Sequence, residues 1–280
     1  MISQKIQAYA KINLFLDVLS KQQDGYHEIY SLISKIDLHD DIEIVRNKSL
    51  DVIFEGSFSS MIKYNNIETL FEYLFSKNYL SEFPFKIKIS KNIPVGAGLG
   101  GGSSNIASVL MYLRDNKLIN EAQCLNAARD LGSDIEFFFE TKPSFVVGRG
   151  IVDRSVKIIN EKKVILLIYP QVDLSTKEVF KNNKSFVEKS KINEHSKYLD
   201  LMEILESSTN SLEPSAKNLC KDIDVALSCL SSHKNSQFER MTGSGSCVFG
   251  IFNDLSTASR ILRDIQSKNP HWWLKVTKLI

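Results

Sequence analysis

Apolar residues over 6–18 alternate loosely with polar ones, which predicts a strand, bulged where the alternation slips. Asp24-Gly25 is a dipeptide of the kind that joins two strands. The strand pattern resumes over 29–36 and 41–45, where Asp40-Asp41-Ile42-Glu43-Ile44 alternates at period two. Asn66 then suits a helix N-cap, and Ile67, Leu70, Phe71, Leu74 and Phe75 recur at helical spacing behind it. Residues 85–90, FKIKIS, alternate cleanly as a strand. The next helix is predicted over 103–114, a further one is capped by Asn120 and ended by Gly132 in the C′ manner, and 145–147 form a short strand.

The second half reads differently. VILLIY before Pro170 is a buried-strand run, whereas 181–198 is rich in Lys, Asn and Ser and reads as an exposed loop. Leu219, Ile223, Ala226, Leu227 and Leu230 make one helical face. A strand over 246–252, a helix over 257–265 and a strand over 273–280 follow. The order is mixed, so the expected class is α+β, without internal repeats. A chain of 280 residues suits two domains, and a Gly-rich strand end meets a charged stretch at 150–162. The expected division is 1–155 and 156–280.

Composition narrows the class. With 43% apolar and 24% charged residues, the chain is an ordinary soluble globular protein, not disordered, collagenous or coiled-coil. A net charge of +2 supplies no broad electrostatic footprint for nucleic acid, and Lys177, Lys181 and Lys184 read as a solvated loop. Cys124, Cys220, Cys229 and Cys247 form no C-x-x-C pair, which argues against a zinc knuckle and for free thiols in a reducing compartment, the cytoplasm. The five histidines, at 27, 39, 195, 233 and 271, lack ligand spacing, so no His-based metal site is expected. Lys5, Lys11 and Asp17 interrupt any signal-peptide core. The longest charge-free stretch, 92–113, is full of Gly, Ser and Asn and does not read as a membrane span.

Five of the 13 glycines fall at 96, 98, 100, 101 and 102, within Pro94-Val95-Gly96-Ala97-Gly98-Leu99-Gly100-Gly101-Gly102-Ser103-Ser104-Asn105. The stretch follows a strand and opens a helix. Glycine permits positive φ and close approach of a ligand, and a helix start adds unpaired N–H groups and a positive dipole end. Together they form an anion site suited to phosphates. Ser103 and Ser104 can cap the helix, donate to phosphate or hold a magnesium ion. The loop is not a Walker A motif, since no Gly-Lys pair exists. Gly96, Gly98 and Gly101 match G-x-G-x-x-G, but Glu121, near the spacing of the ribose acid, sits at a helix start rather than a strand end. The H-R-D and D-F-G motifs of protein kinases are absent.

Four other groupings carry possible chemistry, each with an ordinary structural alternative. Lys11 and Asn13 share one face of the first strand, either as the polar side of an edge or as partners of phosphate or a carboxylate. Tyr26 and His27, after the Asp24-Gly25 turn, either close a packed hairpin corner or stack on and hydrogen-bond a base. Asp134, in Leu131-Gly132-Ser133-Asp134-Ile135-Glu136, is either a first-turn acid or a general base for a hydroxyl. Thr242-Gly243-Ser244-Gly245-Ser246-Cys247 is either a tight turn or a loop closing over a substrate.

Taken together these pieces resemble the GHMP kinase superfamily of small-molecule kinases. Residues 94–104 match its loop P-x-G-x-G-L-G-(G)-(G)-S-S throughout, and Lys11 and 242–246 match its lysine strand and second Gly/Ser loop. Ala10-Lys11-Ile12-Asn13-Leu14-Phe15-Leu16, Asp24-Gly25-Tyr26-His27, Leu131-Gly132-Ser133-Asp134, Pro170 and Phe180 extend the likeness over nearly the whole chain, in order. The resemblance implies a two-domain α+β fold with ATP and substrate in the cleft between domains. It implies transfer of the γ-phosphoryl group of ATP, with Mg2+ accompanying it, to a hydroxyl of a cytidine-diphosphate-linked polyol. It assigns Asp134 as base and Lys11 as the group orienting Asp134 and the hydroxyl. ATP would be held by Pro94, Gly96, Gly98, Leu99, Gly100, Gly101, Gly102, Ser103 and Ser104, with Asn66 near the adenine. Asn13, Gly243, Ser244 and Gly245 would contact the substrate, Tyr26 and Phe180 would sandwich the cytosine, and His27 would read its edge. A monomer or weak homodimer acting without nucleic acid or membrane is expected. Another GHMP small-alcohol kinase and a non-catalytic nucleotide-binding protein are the alternatives. The chain departs from the family pattern at Ile106 and Gly148-Arg149-Gly150, over 181–198, and at Glu136, which puts a second negative charge beside Asp134.

Overall fold

A computed structural model describes residues 3–82, 84–154, 163–189 and 200–280. The described elements are mixed α+β and form two compact units, neither of them a single stretch of chain. One unit comprises 1–10, 38–95 and 100–141, and the other 11–37, 96–99 and 142–280, so both strands of the first hairpin and the glycine loop contribute residues to each.

In the first unit the end of β2 (His27–Arg46) pairs antiparallel with β4 (Phe85–Ser90), and β3 (Asp51–Glu55) runs parallel to β4. The FKIKIS alternation puts Phe85, Ile87 and Ile89 in the core. Against them lie α1 (Asn66–Ser76), α2 (Gly101–Asp115) and α3 (Glu121–Leu131). Ile67, Leu70, Phe71 and Leu74 form the buried stripe of α1, while Phe75 is 53% exposed, one step outside the arc the core covers. Asn120 and Gln123 close a reciprocal capping box on α3. Gly132 ends α3 with extended backbone (φ 172°), so the left-handed C′ ending does not form. A 3-10 turn, Glu136–Phe139, follows.

In the second unit β5 (Ser144–Gly148) pairs with the start of β2 and with β6 (Ile151–Asp153). β1 (Gln4–Lys21), which pairs with β2, is buried continuously from Ala10 to Val18, and burial on both faces is why its alternation is loose. A second, antiparallel sheet has the order β10-β7-β9-β8, with β7 (Val164–Tyr169) and β9 (Val248–Phe252) in the middle, flanked by β8 (Phe238–Met241) and β10 (Trp273–Lys278). The short helices α4 (Thr176–Lys181), α5 (Leu201–Ser207) and α6 (Glu213–Leu219) precede α7 (Asp222–Ser231) and α8 (Leu255–Lys268). Ile223, Ala226 and Leu230 of α7 and Ala258, Ile261 and Ile265 of α8 join Leu166, Ile168, Val248 and Phe252 in one core. The expected continuous face from Leu219 to Leu230 is broken: the chain leaves helical geometry at Cys220, and Leu219 is 44% exposed. Arg240 is the largest buried cation of this unit. It donates to the carbonyls of Leu14, Leu205 and Ser208, and burial lowers its pKa to about 10.

All four cysteines are free thiols, three of them buried. Among the described residues no helix is long and apolar enough to cross a membrane. Residues 155–162, most of the expected boundary, and 190–199, which take in the second half of the expected 181–198 loop, lie outside the described residues.

Candidate active site

The glycine loop passes from the second unit, which holds 96–99, into the first, where α2 begins. Gly96, Gly98 and Gly100 have φ of +73°, +77° and +69°, a region that side chains disfavour. Gly100 is the N-cap, so α2 starts at Gly101, two residues before the expected Ser103, and neither serine caps it. Pro94 and Leu99 are buried, and the Leu99 carbonyl accepts the Lys11 N–H.

In the first unit, the start of α2 has close side-chain neighbours. A Cβ on Gly101 would lie 3.0 Å from the Ile93 side chain, and one on Gly102 3.0 Å from Asn66 Nδ2. That Nδ2 donates to the Gly102 carbonyl at 2.8 Å. Asn66 is thus the first helical residue of α1 and a tether for α2. The expected N-cap role belongs to Asn65, whose carboxamide oxygen accepts from the N–H groups of Ile67 and Glu68.

A buried network that the sequence reading missed sits behind the loop. Asp40, fully buried, accepts from the N–H groups of Asn92 and Ile93 at 2.7 and 2.9 Å, from Asn105 Nδ2 at 3.0 Å, and from the Lys91 ammonium. Lys91, itself buried, also donates to Asn105 Oδ1 at 3.1 Å. The network joins the entrance of the glycine loop to the second turn of α2. A signal was available: Asp40 shares the inward face of β2 with Ile42 and Ile44, and a carboxylate at a core position requires partners.

Asp134 lies half-buried in the turn between α3 and the 3-10 segment, whose N-cap residue is Ile135. Glu136 is 2% exposed and takes a two-pronged interaction from Arg129, Nε to Oε2 at 2.7 Å and Nη2 to Oε1 at 3.2 Å. The second negative charge beside Asp134 is therefore neutralised by a guanidinium one helical turn before Gly132.

In the second unit Lys11 and Asn13 are buried, which rules out a solvent-facing edge. Lys11 Nζ donates to Asn13 Oδ1 at 2.5 Å, and Asn13 Nδ2 donates to Ser31 Oγ at 2.8 Å. The Thr242 hydroxyl accepts from the Asn13 N–H at 2.8 Å, which ties β1 to the second Gly/Ser loop. The Lys11 N–H donates to the Leu99 carbonyl and the Cys247 N–H to that of Ala97. A Cβ on Gly98 would fall 2.7 Å from the Thr242 carbonyl oxygen; one on Gly243 (φ +58°) would fall 3.3 Å from Asn13 Oδ1 and 3.5 Å from Lys11 Nζ. Lys11, Asn13, Gly98 and Gly243 are thus brought together. The Ser244 hydroxyl bonds that of Thr176, and a Cβ on Gly245 would meet Met241 Sδ at 2.8 Å. Asn210 donates to the carbonyls of Met241 and Gly243 and holds the loop from behind.

Elsewhere in this unit His27, opening β2, lies against Phe180 of α4, with ring centroids 5.0 Å apart. Burial, then the nearby Lys21, lowers the His27 pKa from the ordinary 6.5. Tyr26, on the turn before it, is 63% exposed. Among the described residues no group of three or more His, Cys, Asp or Glu could hold a metal ion.

Family models match both parts of the chain: GHMP kinases N terminal domain over residues 65–139 and GHMP kinases C terminal over 190–271. A protein of Caldanaerobacter subterraneus subsp. tengcongensis named 4-diphosphocytidyl-2-C-methyl-D-erythritol kinase is 35% identical, covering 95% of this chain and 94% of that one. One of the same name from Pelagibacter ubique is 34% identical, over 98% of this chain and 99% of the other. A crystal structure of 4-(cytidine 5'-diphospho)-2C-methyl-D-erythritol kinase superposes with a TM-score of 0.77 at 24% identity, covering 99% of each chain. The L. major mevalonate kinase, solved in complex with R-mevalonate, does so at 0.71 and 11% identity, covering 99% of this chain and 95% of that one. At those identities the structural likeness shows the fold alone.

Asp40→Ala leaves the Lys91 ammonium buried without its counter-charge and is expected to cost about 3–5 kcal/mol of stability by chemical denaturation. Gly98→Ala meets both a positive φ and the Thr242 carbonyl. Its kcat/KM for ATP is expected to fall on the order of 10–100-fold, since displacing a positioned group by an ångström costs that much.

Proposed function

The chain belongs to the GHMP kinase family, and from that premise we propose that it phosphorylates the 2-hydroxyl of 4-diphosphocytidyl-2-C-methyl-D-erythritol with ATP, a step of non-mevalonate isoprenoid precursor biosynthesis. The observation that carries the substrate is the 34–35% identity, over nearly the whole chain, to proteins that bear one name. The two family matches fall on either side of residue 155, which supports 1–155 and 156–280 as the N- and C-terminal family domains.

Phosphoryl transfer needs positioning and charge neutralisation more than covalent participation by the protein. The triphosphate would sit against backbone N–H groups of 98–103 and the positive end of α2, with Asn66 toward the adenine. The substrate hydroxyl oxygen attacks the γ-phosphorus, the bond to the β,γ-bridging oxygen breaks, ADP leaves, and the hydroxyl proton passes to the Asp134 carboxylate. Lys11, held by Asn13, would orient the hydroxyl, and Gly243, Ser244 and Gly245 would contact the substrate beside them. Tyr26 and Phe180 would stack on the cytosine, worth about 1–3 kcal/mol per stacked base, with His27 hydrogen-bonded to its edge. Magnesium would arrive on ATP, where its charge offsets that of the phosphates, and the Ser103 and Ser104 hydroxyls are hard-oxygen donors of the type it accepts. The free thiols support a cytoplasmic setting, and a monomer or weak homodimer needing neither nucleic acid nor membrane completes the reading.

The decisive measurement is ADP release with the cytidine-linked substrate, run beside galactose, homoserine and mevalonate. Turnover of the cytidine substrate alone, inhibited by CDP, is the expected result; turnover of another alcohol would discard the base-stacking roles. Asp134→Asn is expected to lower kcat by about 100- to 10,000-fold, and full turnover by that variant would remove it as the base.

A pH series tests His27. Its pKa lies below 6.5, so the ring stays neutral at neutral pH and takes up a proton only in acid. The KM for the cytidine substrate is expected to be flat from about pH 8 down to 6.5 and to rise only below that, a rise abolished in His27→Asn.

A further inference from the structure

Tyr26 is 63% exposed, yet one face of its ring is covered. The Arg149 guanidinium carbon lies 4.7 Å from the ring centroid. Arg149 is presented by the tight turn between β5 and β6, where Gly148 and Gly150 have φ of +63° and +102° and the Gly150 N–H donates to the Val147 carbonyl. The same guanidinium makes an ion pair with Asp24, Nη2 to Oδ2, and the other Asp24 oxygen accepts the Tyr26 N–H at 3.1 Å. Asp24, Tyr26 and Arg149 thus close a ring of three contacts around one aromatic side chain, and the pairing holds the Asp24 carboxyl below its ordinary 3.8.

The physics favours preorganisation over stability. Asp24 and Arg149 are each about half exposed (50% and 52%), so their attraction is screened and adds little to the fold. A guanidinium stacks flat on an aromatic face, as an ammonium cannot, and so fixes the plane of the ring as well as its place. An exposed tyrosine held in one orientation loses less side-chain freedom when a planar ligand stacks on its uncovered face.

We propose that Arg149 is a specificity-determining positioning residue: braced by Asp24, it backs one face of Tyr26 and leaves the other for the pyrimidine of a cytidine diphosphate. The inference rests on the reading of Tyr26 as a base-stacking residue.

The test compares Arg149→Ala, Arg149→Lys and Tyr26→Ala in the full-length enzyme. Binding of CDP and of ATP is measured by calorimetry, and kcat and KM with the cytidine substrate. Arg149→Ala is expected to weaken CDP by about two- to tenfold, the range set by immobilising one side chain. Arg149→Lys is expected to behave like the alanine variant because it restores charge without a flat face. The loss should appear in KM for the cytidine substrate rather than in kcat or in ATP binding. Unchanged CDP binding in Arg149→Ala, with weakened binding in Tyr26→Ala, would overturn the role of Arg149 alone. Unchanged binding in Tyr26→Ala as well would overturn the base-stacking reading with it.

Discussion

Two backbones meet at Gly98 and Thr242 with no room for a side-chain carbon between them, and the second unit is organised around that approach. A Cβ at position 98 would sit 2.7 Å from a carbonyl oxygen, inside any van der Waals contact. The meeting is held by bonds on both sides: Lys11 to the Leu99 carbonyl, Cys247 to that of Ala97, and Asn13 to the Thr242 hydroxyl. Glycine loses more conformational freedom on ordering than any other residue, so a glycine loop keeps one shape only where such bonds offset the loss. The geometry also sets where Lys11 lies. Its ammonium, bonded to Asn13, is in van der Waals range of the Cβ that Gly243 lacks.

Buried charge does the corresponding work in the first unit. Lys91, Asp40 and Asn105 fasten the residues before the glycine loop to α2, and Arg129 with Glu136 braces the turn that bears Asp134. Such pairs add little net stability because desolvation consumes most of the Coulombic gain. What they supply is position, since a buried charge left without its partner is costly. Arg240 follows the same rule in the second unit, where three carbonyls and the Phe238 ring surround it.

The two ends of the proposed reaction differ in how they are held. Lys11 and Asn13, which the proposal sets beside the substrate hydroxyl, are buried and hydrogen-bonded, and groups fixed in this way need no rearrangement of water at each turnover. Tyr26 stands in solvent, where Arg149 backs one face of its ring. A base that stacks needs a presented face, and only an exposed ring has one to present.

Much of this was legible along the chain. FKIKIS and the Ile67–Leu74 spacing declare their elements because burial on one face imposes a period, VILLIY because a strand buried on both faces reads as a continuous apolar run, and the glycine cluster declares a loop because side chains disfavour those φ values. Other residues misled for identifiable reasons. Asn65 and Asn66 are equally good caps in composition, and which one caps depends on where α1 begins against its neighbours; Asn66 is instead drawn to Gly102. Leu219 and Phe75 fit a helical stripe but lie at the edge of the arc that the core covers, 44% and 53% exposed. Asp40 looked like one more polar position of a strand until Lys91 and Asn105, 51 and 65 residues away, closed around it. Local spacing determined the elements, the glycine loop and the family likeness, because backbone dihedrals and burial period act between neighbours in sequence. The tertiary structure alone decided which polar side chains meet, because a buried charge is satisfied by whatever the fold brings within hydrogen-bond range, however far off in the chain.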